Sequence, residues 1–317
     1  MTSPRAATTA DPRYSDGIAF IDGRFVPIEE ARIPILDWGF LRSDACQDTV
    51  SAWDGSFFRL EDHLARFERS FSRLRMTCPH DRDTLRAIVL ESVVRTGFRN
   101  AYTQMIMTRG RPPIGSRDVR LAENKFWLFT IPFVWIAKPE QKAKGLAMHV
   151  SDIVHLPKGT VDPTIKNYHW LDFQMGLLEA YDAGAETVCL VDGSGNIAEG
   201  PGFNVFMVKD GRIATPPSDV CLDGMTRDTV MKLAAETNQA VSERAIPKAE
   251  MATADEIFLT TTGGGVIPIT TLDGRRVGSG EPGPVTQRLD ALYWQRRTSG
   301  WLATPVDYAA MPRFAAG

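Results

Sequence analysis

The chain has 317 residues, enough to bury a sizeable core in one large domain or two medium ones without staples. Hydrophobic residues make up 43% and charged residues 24%, as in an ordinary soluble globular protein, and a net charge of −3 gives no ground for a nucleic-acid or membrane-surface partner. No apolar run approaches the roughly 20 residues of a membrane span. The scattered Cys46, Cys78, Cys189 and Cys221 form no CxxC pair, which argues against a zinc ribbon. With no secretory signal, the simplest expectation is reduced thiols in a cytoplasm.

Residues 1–15 lack an apolar core and read as a loose N-terminal arm. Asp-Gly dipeptides at 16, 22, 54, 192, 210, 223 and 273 punctuate the rest of the chain, and Asp-Gly between apolar runs favours hairpin turns. Ile18–Pro27 and Ser51–Phe58 read as hairpins. Leu60–Met76 switches to helical period, with Leu64, Phe67, Phe71 and Leu74 on one face. Asp81–Thr96 is a second amphipathic helix, stopped by Gly97. Ala101–Thr108 and Lys125–Trp135 read as buried strands on either side of a basic Pro/Gly loop, Arg109–Arg117. The polar stretch from Ile136 to Gly145 is the candidate linker.

Beyond it come a strand at Leu146–Val154 and a helix at His169–Ala183 with Leu171, Met175, Leu178 and Tyr181 in phase. Further strands lie at Glu186–Val191, Asn204–Lys209, Arg212–Thr215 and Glu256–Thr261, with helices at Thr226–Ala235 and Val285–Arg296. The pattern is not strict βαβ alternation, so the fold class expected is α+β with mixed or antiparallel sheets. The boundaries expected are 16–136 for an N-terminal domain, 137–146 for the linker and 147–317 for a C-terminal domain.

Gly278-Ser-Gly-Glu-Pro-Gly283 matches a dinucleotide fingerprint formally, but its internal Pro and the lack of a βαβ setting make it a plain turn. The five histidines show no metal-ligand spacing and read as structural or surface residues; no metal site is expected. Leu222-Asp-Gly-Met-Thr-Arg-Asp228 opens a helix with a Gly and a Thr, and Thr260-Thr-Thr-Gly-Gly-Gly-Val266 follows a strand. Alone, each reads as an N-cap or a loose turn. With a candidate amine at Lys166 and a carboxylate at Glu199, they match the needs of pyridoxal phosphate: an aldehyde-capturing lysine, an acid at the ring nitrogen and a phosphate cradle.

Asp162-Pro-Thr-Ile-Lys-Asn-Tyr-His-Trp170, Ala198-Glu-Gly-Pro-Gly-Phe-Asn-Val205 and Gly280-Glu-Pro-Gly-Pro-Val-Thr286 carry a family resemblance. The chain resembles the class IV aminotransferases, the fold-type-IV pyridoxal-phosphate enzymes, from about Ile18 to the last helix. Within them it is most similar to the (R)-selective amine transaminases, which are related to branched-chain and D-amino acid aminotransferases. The resemblance implies a small N-terminal α+β domain, a larger mixed-sheet pseudo-barrel domain and a homodimer with sites near the interface. By position it makes Lys166 the lysine that holds the cofactor and Glu199 the partner of the pyridine nitrogen. It gives Arg66, Met225, Thr226 and Thr262 to the phosphate, Thr261 and Gly263 to a substrate-facing turn, and Trp170 and Tyr102 to pocket aromatics.

The sequence departs from the amine transaminases in Gly39-Phe-Leu-Arg42-Ser-Asp-Ala-Cys-Gln47-Asp-Thr49, where Arg42 replaces His and Gln47 replaces Tyr. Gln104 stands where they carry Glu and branched-chain enzymes carry Arg. One reading is a pocket made more polar for a carboxylate; the other turns Arg42 toward solvent or a dimer interface. Arg117 matches the mobile arginine that binds keto-acid carboxylates in related enzymes, with Arg111 and Arg120 as alternatives. The expected activity is ping-pong transfer of an amino group from an (R)-configured amine or amino acid to a 2-keto acid such as pyruvate. The rivals are a branched-chain or D-amino acid aminotransferase, an aminodeoxychorismate lyase, and a non-enzymatic binding protein.

Overall fold

The computed structural model describes residues 11–239 and 241–317. The chain divides into two compact units, one running up to Val134 and joined by Gly300–Gly317, the other spanning Trp135–Ser299.

In the first unit, the described residues form an eight-stranded sheet. Its order is Ala303–Pro305, Ser56–Phe58, Ala45–Trp53, Ala101–Arg111, Glu123–Pro132, Ile18–Ile21, Arg24–Pro27 and Ala315–Ala316. All neighbours are antiparallel except the last pair. The helices Leu60–Arg73 and Arg82–Thr96 pack on it through Leu64, Phe67, Leu85, Ile88 and Val89. Asp81 caps the second helix through Thr84 N, and Gly97 ends it at φ 70°. The C-terminal residues 300–317 were expected in the second domain, yet they add two strands here. The arm expected over 1–15 is tied down from Asp11 onward: Asp11 N donates to Arg95 O at 3.2 Å and Tyr14 is fully buried. The rest of that arm lies outside the described residues.

In the second unit, the described residues form a nine-stranded sheet. Val241–Glu243, Arg212–Thr215, Phe203–Lys209, Glu256–Thr261, Gly265–Leu272, Leu146–Val154 and Thr187–Val191 lie in that order, with Glu199–Gly200 and Arg275–Arg276 paired at its side. It mixes parallel and antiparallel pairs. Four of the Asp-Gly pairs make tight hairpins, with Asp22, Asp54, Asp210 and Asp273 at φ 47–49° before glycines that are also left-handed. That backbone suits the twist of the flanking strands.

Two expectations fail here. The stretch 137–146 is not an unpatterned linker: Pro139–Lys144 is a short helix inside the second unit, and Lys142 Nζ lies 2.6 Å from Asp290 Oδ1. The helix Leu171–Asp182 buries Phe173, Gly176 and Ala180, not the periodic Leu171, Met175, Leu178 and Tyr181, which stay 54–81% exposed. The small residues win the inner face because the helix lies close on its sheet: a Cβ on Gly176 would sit 2.8 Å from Leu190 Cδ2. Gly278–Gly283 is a turn, as expected, leading into the helix Pro284–Thr298. Among the described residues no helix is long and apolar enough to cross a membrane.

Candidate active site

In the second unit, strand pairing brings the candidate residues abreast. Asn204 lies opposite Glu199 on one side and Thr260 on the other. Cross-strand neighbours share a face, so a carboxylate, an amide and a hydroxyl converge on one surface. Glu199 is 7% exposed. Its Oε1 accepts from Leu222 N at 3.1 Å and its Oε2 from Asn204 Nδ2 at 3.2 Å.

A residue that sequence reasoning set aside also reaches this acid. His155, just past the strand Leu146–Val154, places Nε2 3.4 Å from Glu199 Oε1 and Nδ1 2.7 Å from Asp172 Oδ2. The ring packs on Phe173 with centroids 4.7 Å apart. Burial disfavours a charge on this imidazole, but hydrogen bonds to Asp172 and Glu199, and their negative charges, outweigh it and push its pKa up to about 9. Burial alone would raise the Asp172 carboxyl; the bond from His155 holds it below its ordinary value.

The loop bearing Lys166 is shaped by short side-chain bonds. Asp162 Oδ1 accepts from Thr164 N at 2.9 Å and Thr164 Oγ1 at 2.7 Å, and Asn167 Oδ1 accepts from His169 N at 2.9 Å. Such Asx turns fix a loop without regular structure. Lys166 is half-buried between them. Trp170 closes the loop, edge-on to Phe173 at 5.6 Å and beside Gly202. Gly202 O accepts from Thr261 Oγ1 at 2.9 Å, and Thr261 Oγ1 accepts from Gly263 N at 3.2 Å. The loop, the Glu199 segment and the Thr261–Gly263 turn therefore meet in one unit, with Thr262 half-buried in the turn.

Gly224 precedes the helix Met225–Glu236 and supplies no side-chain cap. A Cβ there would lie 2.0 Å from Asn204 Oδ1, so any larger residue would have to push the Asn204 amide aside. Thr226 is buried in the first turn. A helix start without a capping side chain suits an anion. By contrast, the N-terminus of Pro284–Thr298 is filled by Glu256, whose oxygens accept from Val285 N at 3.0 Å and Thr286 N at 2.8 Å.

In the first unit, Gln47, Thr49, Tyr102 and Gln104 share one face of two paired strands. Thr49 Oγ1 donates to Gln47 Oε1 at 3.1 Å and lies 3.3 Å from the Tyr102 hydroxyl, which donates to Gln104 Oε1 at 3.3 Å. Asp48 points the other way. It accepts from Arg66 Nε at 2.7 Å and Nη2 at 2.9 Å, and its Oδ1 is 2.7 Å from His63 Nδ1. Burial would raise the Asp48 pKa, but the Arg66 charge and His63 hold it well below the carboxylate range. Burial pushes His63 down; Asp48 opposes this, while Arg66 and Arg59 add to it.

Arg42 is exposed and stacks on Trp38, 3.8 Å above the ring. Arg117 is exposed in its loop, and Arg120 is paired with Asp118 at 2.6 Å.

A family model described as amino-transferase class IV matches residues 45–272. A branched-chain-amino-acid aminotransferase of Pseudomonas aeruginosa is 30% identical over 88% of this chain and 92% of its own length. A D-alanine aminotransferase of Bacillus licheniformis is 29% identical over 84% of this chain and 93% of its own. Among solved structures, a T.th. branched-chain amino acid aminotransferase complexed with N-(5′-phosphopyridoxyl)-L-glutamate matches at a TM-score of 0.85 and 28% identity, covering 92% of this chain and 99% of that one.

Proposed function

The chain belongs to amino-transferase class IV and is an aminotransferase dependent on pyridoxal 5′-phosphate; we propose that it moves an amino group from an (R)-configured amine or amino acid to a 2-keto acid such as pyruvate, in a ping-pong cycle. The observation that carries the reading is Glu199: a buried carboxylate held by a backbone amide, an asparagine and a histidine, in the unit that also presents Lys166.

The residues fit the cofactor. The helix start at Gly224 has no side-chain cap, and Thr260 Oγ1 is buried without a partner. When bound, the cofactor supplies a carbonyl carbon to take the nitrogen and a ring to delocalise electrons from the donor Cα. Lys166 would hold it through its amine, and that amine, when free, would move the proton at the donor Cα. Glu199 would pair with the ring nitrogen and favour its protonated form. Arg66, Met225, Thr226 and Thr262 are assigned to phosphate oxygens, Trp170 to packing beside the ring, and Thr261 and Gly263 to the substrate.

The linked hydroxyls and amides of Gln47, Thr49, Tyr102 and Gln104 support a polar substrate group, with Arg42 and Arg117 as the candidate carboxylate ligands. A branched-chain or D-amino acid aminotransferase is the second reading, favoured by the names of the relatives. A donor panel of (R)-1-phenylethylamine, D-alanine and L-leucine with pyruvate separates them: turnover of the first donor supports the proposal, and turnover of L-leucine alone contradicts it. Pyruvate release without an amino acceptor would point instead to aminodeoxychorismate lyase chemistry. A homodimer and a cytoplasmic location belong to the same reading; exposed apolar residues such as Ile35, Phe40, Leu171 and Met175 support the homodimer.

A further inference from the structure

Outside the assigned site, His155 is a buried titratable group that touches an assigned residue through its side chain. It is 8% exposed and bridges two carboxylates that the sequence keeps far apart, Asp172 at 2.7 Å and Glu199 at 3.4 Å. Its place is fixed from three sides: its backbone N donates to Val191 O at 2.8 Å, its ring lies on Phe173, and Leu156 N shares Asp172 Oδ2 at 3.4 Å. Glu199 receives two further donors, Asn204 Nδ2 and Leu222 N, and both are neutral.

We propose that His155 is a positioning residue whose cationic imidazole, clamped by Asp172, fixes the orientation of Glu199, and so sets how strongly Glu199 pairs with the ring nitrogen of the bound cofactor. This rests on the reading of Glu199 as the partner of that nitrogen.

The chemistry comes from counting charges. A buried carboxylate held only by neutral donors is costly, and a cation beside it offsets that cost. His155 is the cation that stands beside Glu199, at 3.4 Å. Asp172 in turn compensates that cation, so the three side chains carry one net negative charge, facing the cofactor side through Glu199. The raised pKa of His155 agrees with this arrangement. Its raised value means the cation is fully present below the ordinary histidine value of roughly 6.5 and is lost as pH rises through about 9. The charged groups facing the ring are Asp172 from the helix Leu171–Asp182 and Glu199 from its strand. The thiols of Cys189 and Cys221, also near Glu199, are pushed far up by burial and stay protonated.

The test compares the holoenzyme with H155Q and H155R. The glutamine keeps a neutral donor; the arginine keeps the charge at every pH. The expected result is that H155Q lowers kcat and weakens cofactor binding, each on the order of tenfold, with the KM values little changed. H155R should keep most of the activity but lose the alkaline limb of kcat that centres near pH 9 in the wild type. In the ¹⁵N spectrum of the labelled wild-type protein, both His155 ring nitrogens should carry protons at pH 7. The proposal is overturned if His155 is neutral at pH 7, if H155Q keeps the wild-type kcat and pH profile, or if H155R is as impaired as H155Q. Failure of the cofactor reading shows separately, as wild-type protein that binds no pyridoxal phosphate, whatever the state of His155.

Discussion

Two buried histidines sit beside aspartates at the same 2.7 Å, yet one is neutral and the other is charged. His63, in the first unit, shares Asp48 with Arg66 and has Arg59 nearby; burial and these cations push its pKa down and leave it neutral. His155, in the second unit, has carboxylates on both sides, and the same burial is overcome. The distance to the nearest aspartate does not decide a histidine's state; the sum of neighbouring charges does. The first cluster is built to hold a guanidinium still. The second is built to hold a carboxylate in place.

The comparison breaks most sharply through Asp48. D48N should cost about 3–5 kcal/mol of unfolding free energy, because it breaks a buried ion pair whose carboxylate also holds His63. A loss under about 1 kcal/mol in denaturant titration would mean that Arg66 is balanced elsewhere. E199Q should act on function more than on folding. Turnover should fall on the order of 100-fold, while the stability loss stays below that of D48N. If E199Q unfolds the protein as readily as D48N does, the second cluster is structural like the first.

Acid and alkali separate the clusters further. Asp48, with its lowered pKa, contributes stability that is present above roughly pH 3.9 and lost as pH falls below it. His155, with its raised pKa, contributes stability that is present below roughly pH 6.5 and lost as pH rises through about 9. Stability measured across pH should therefore lose its alkaline decline in H155Q and its acid decline in D48N. The smallest effect is expected at Arg42. R42A removes an exposed stack on Trp38 worth about 0.5–1 kcal/mol. If activity changes equally on acidic and apolar donors, Arg42 has no part in carboxylate binding.

Most of the sheet and helix pattern was legible in the sequence, because Asp-Gly turns and apolar period are local signals. Lys166 and Glu199 were legible only through their family motifs, since one lysine or one glutamate carries little information alone. His155 was not legible. Its partner Asp172 is 17 residues away, and Glu199 comes from another strand, so no spacing rule links them. The outer face of Leu171–Asp182 was misread for a related reason. Its larger apolar residues made the stronger period, while the inner face was chosen by the close approach at Gly176. The C-terminal strands Ala303–Pro305 and Ala315–Ala316 return to the first unit by pairing with distant strands, which a pass along the chain does not reveal.

The central claim is that Lys166 holds the cofactor. Reduction of the pyridoxal-phosphate-loaded protein with borohydride, followed by peptide mass mapping, tests it directly. The account predicts a single phosphopyridoxyl group on Lys166 and none in K166A, which should also lose transamination by at least about 10³-fold. A label on another lysine, or a K166A protein that still transaminates at the wild-type rate, would contradict it.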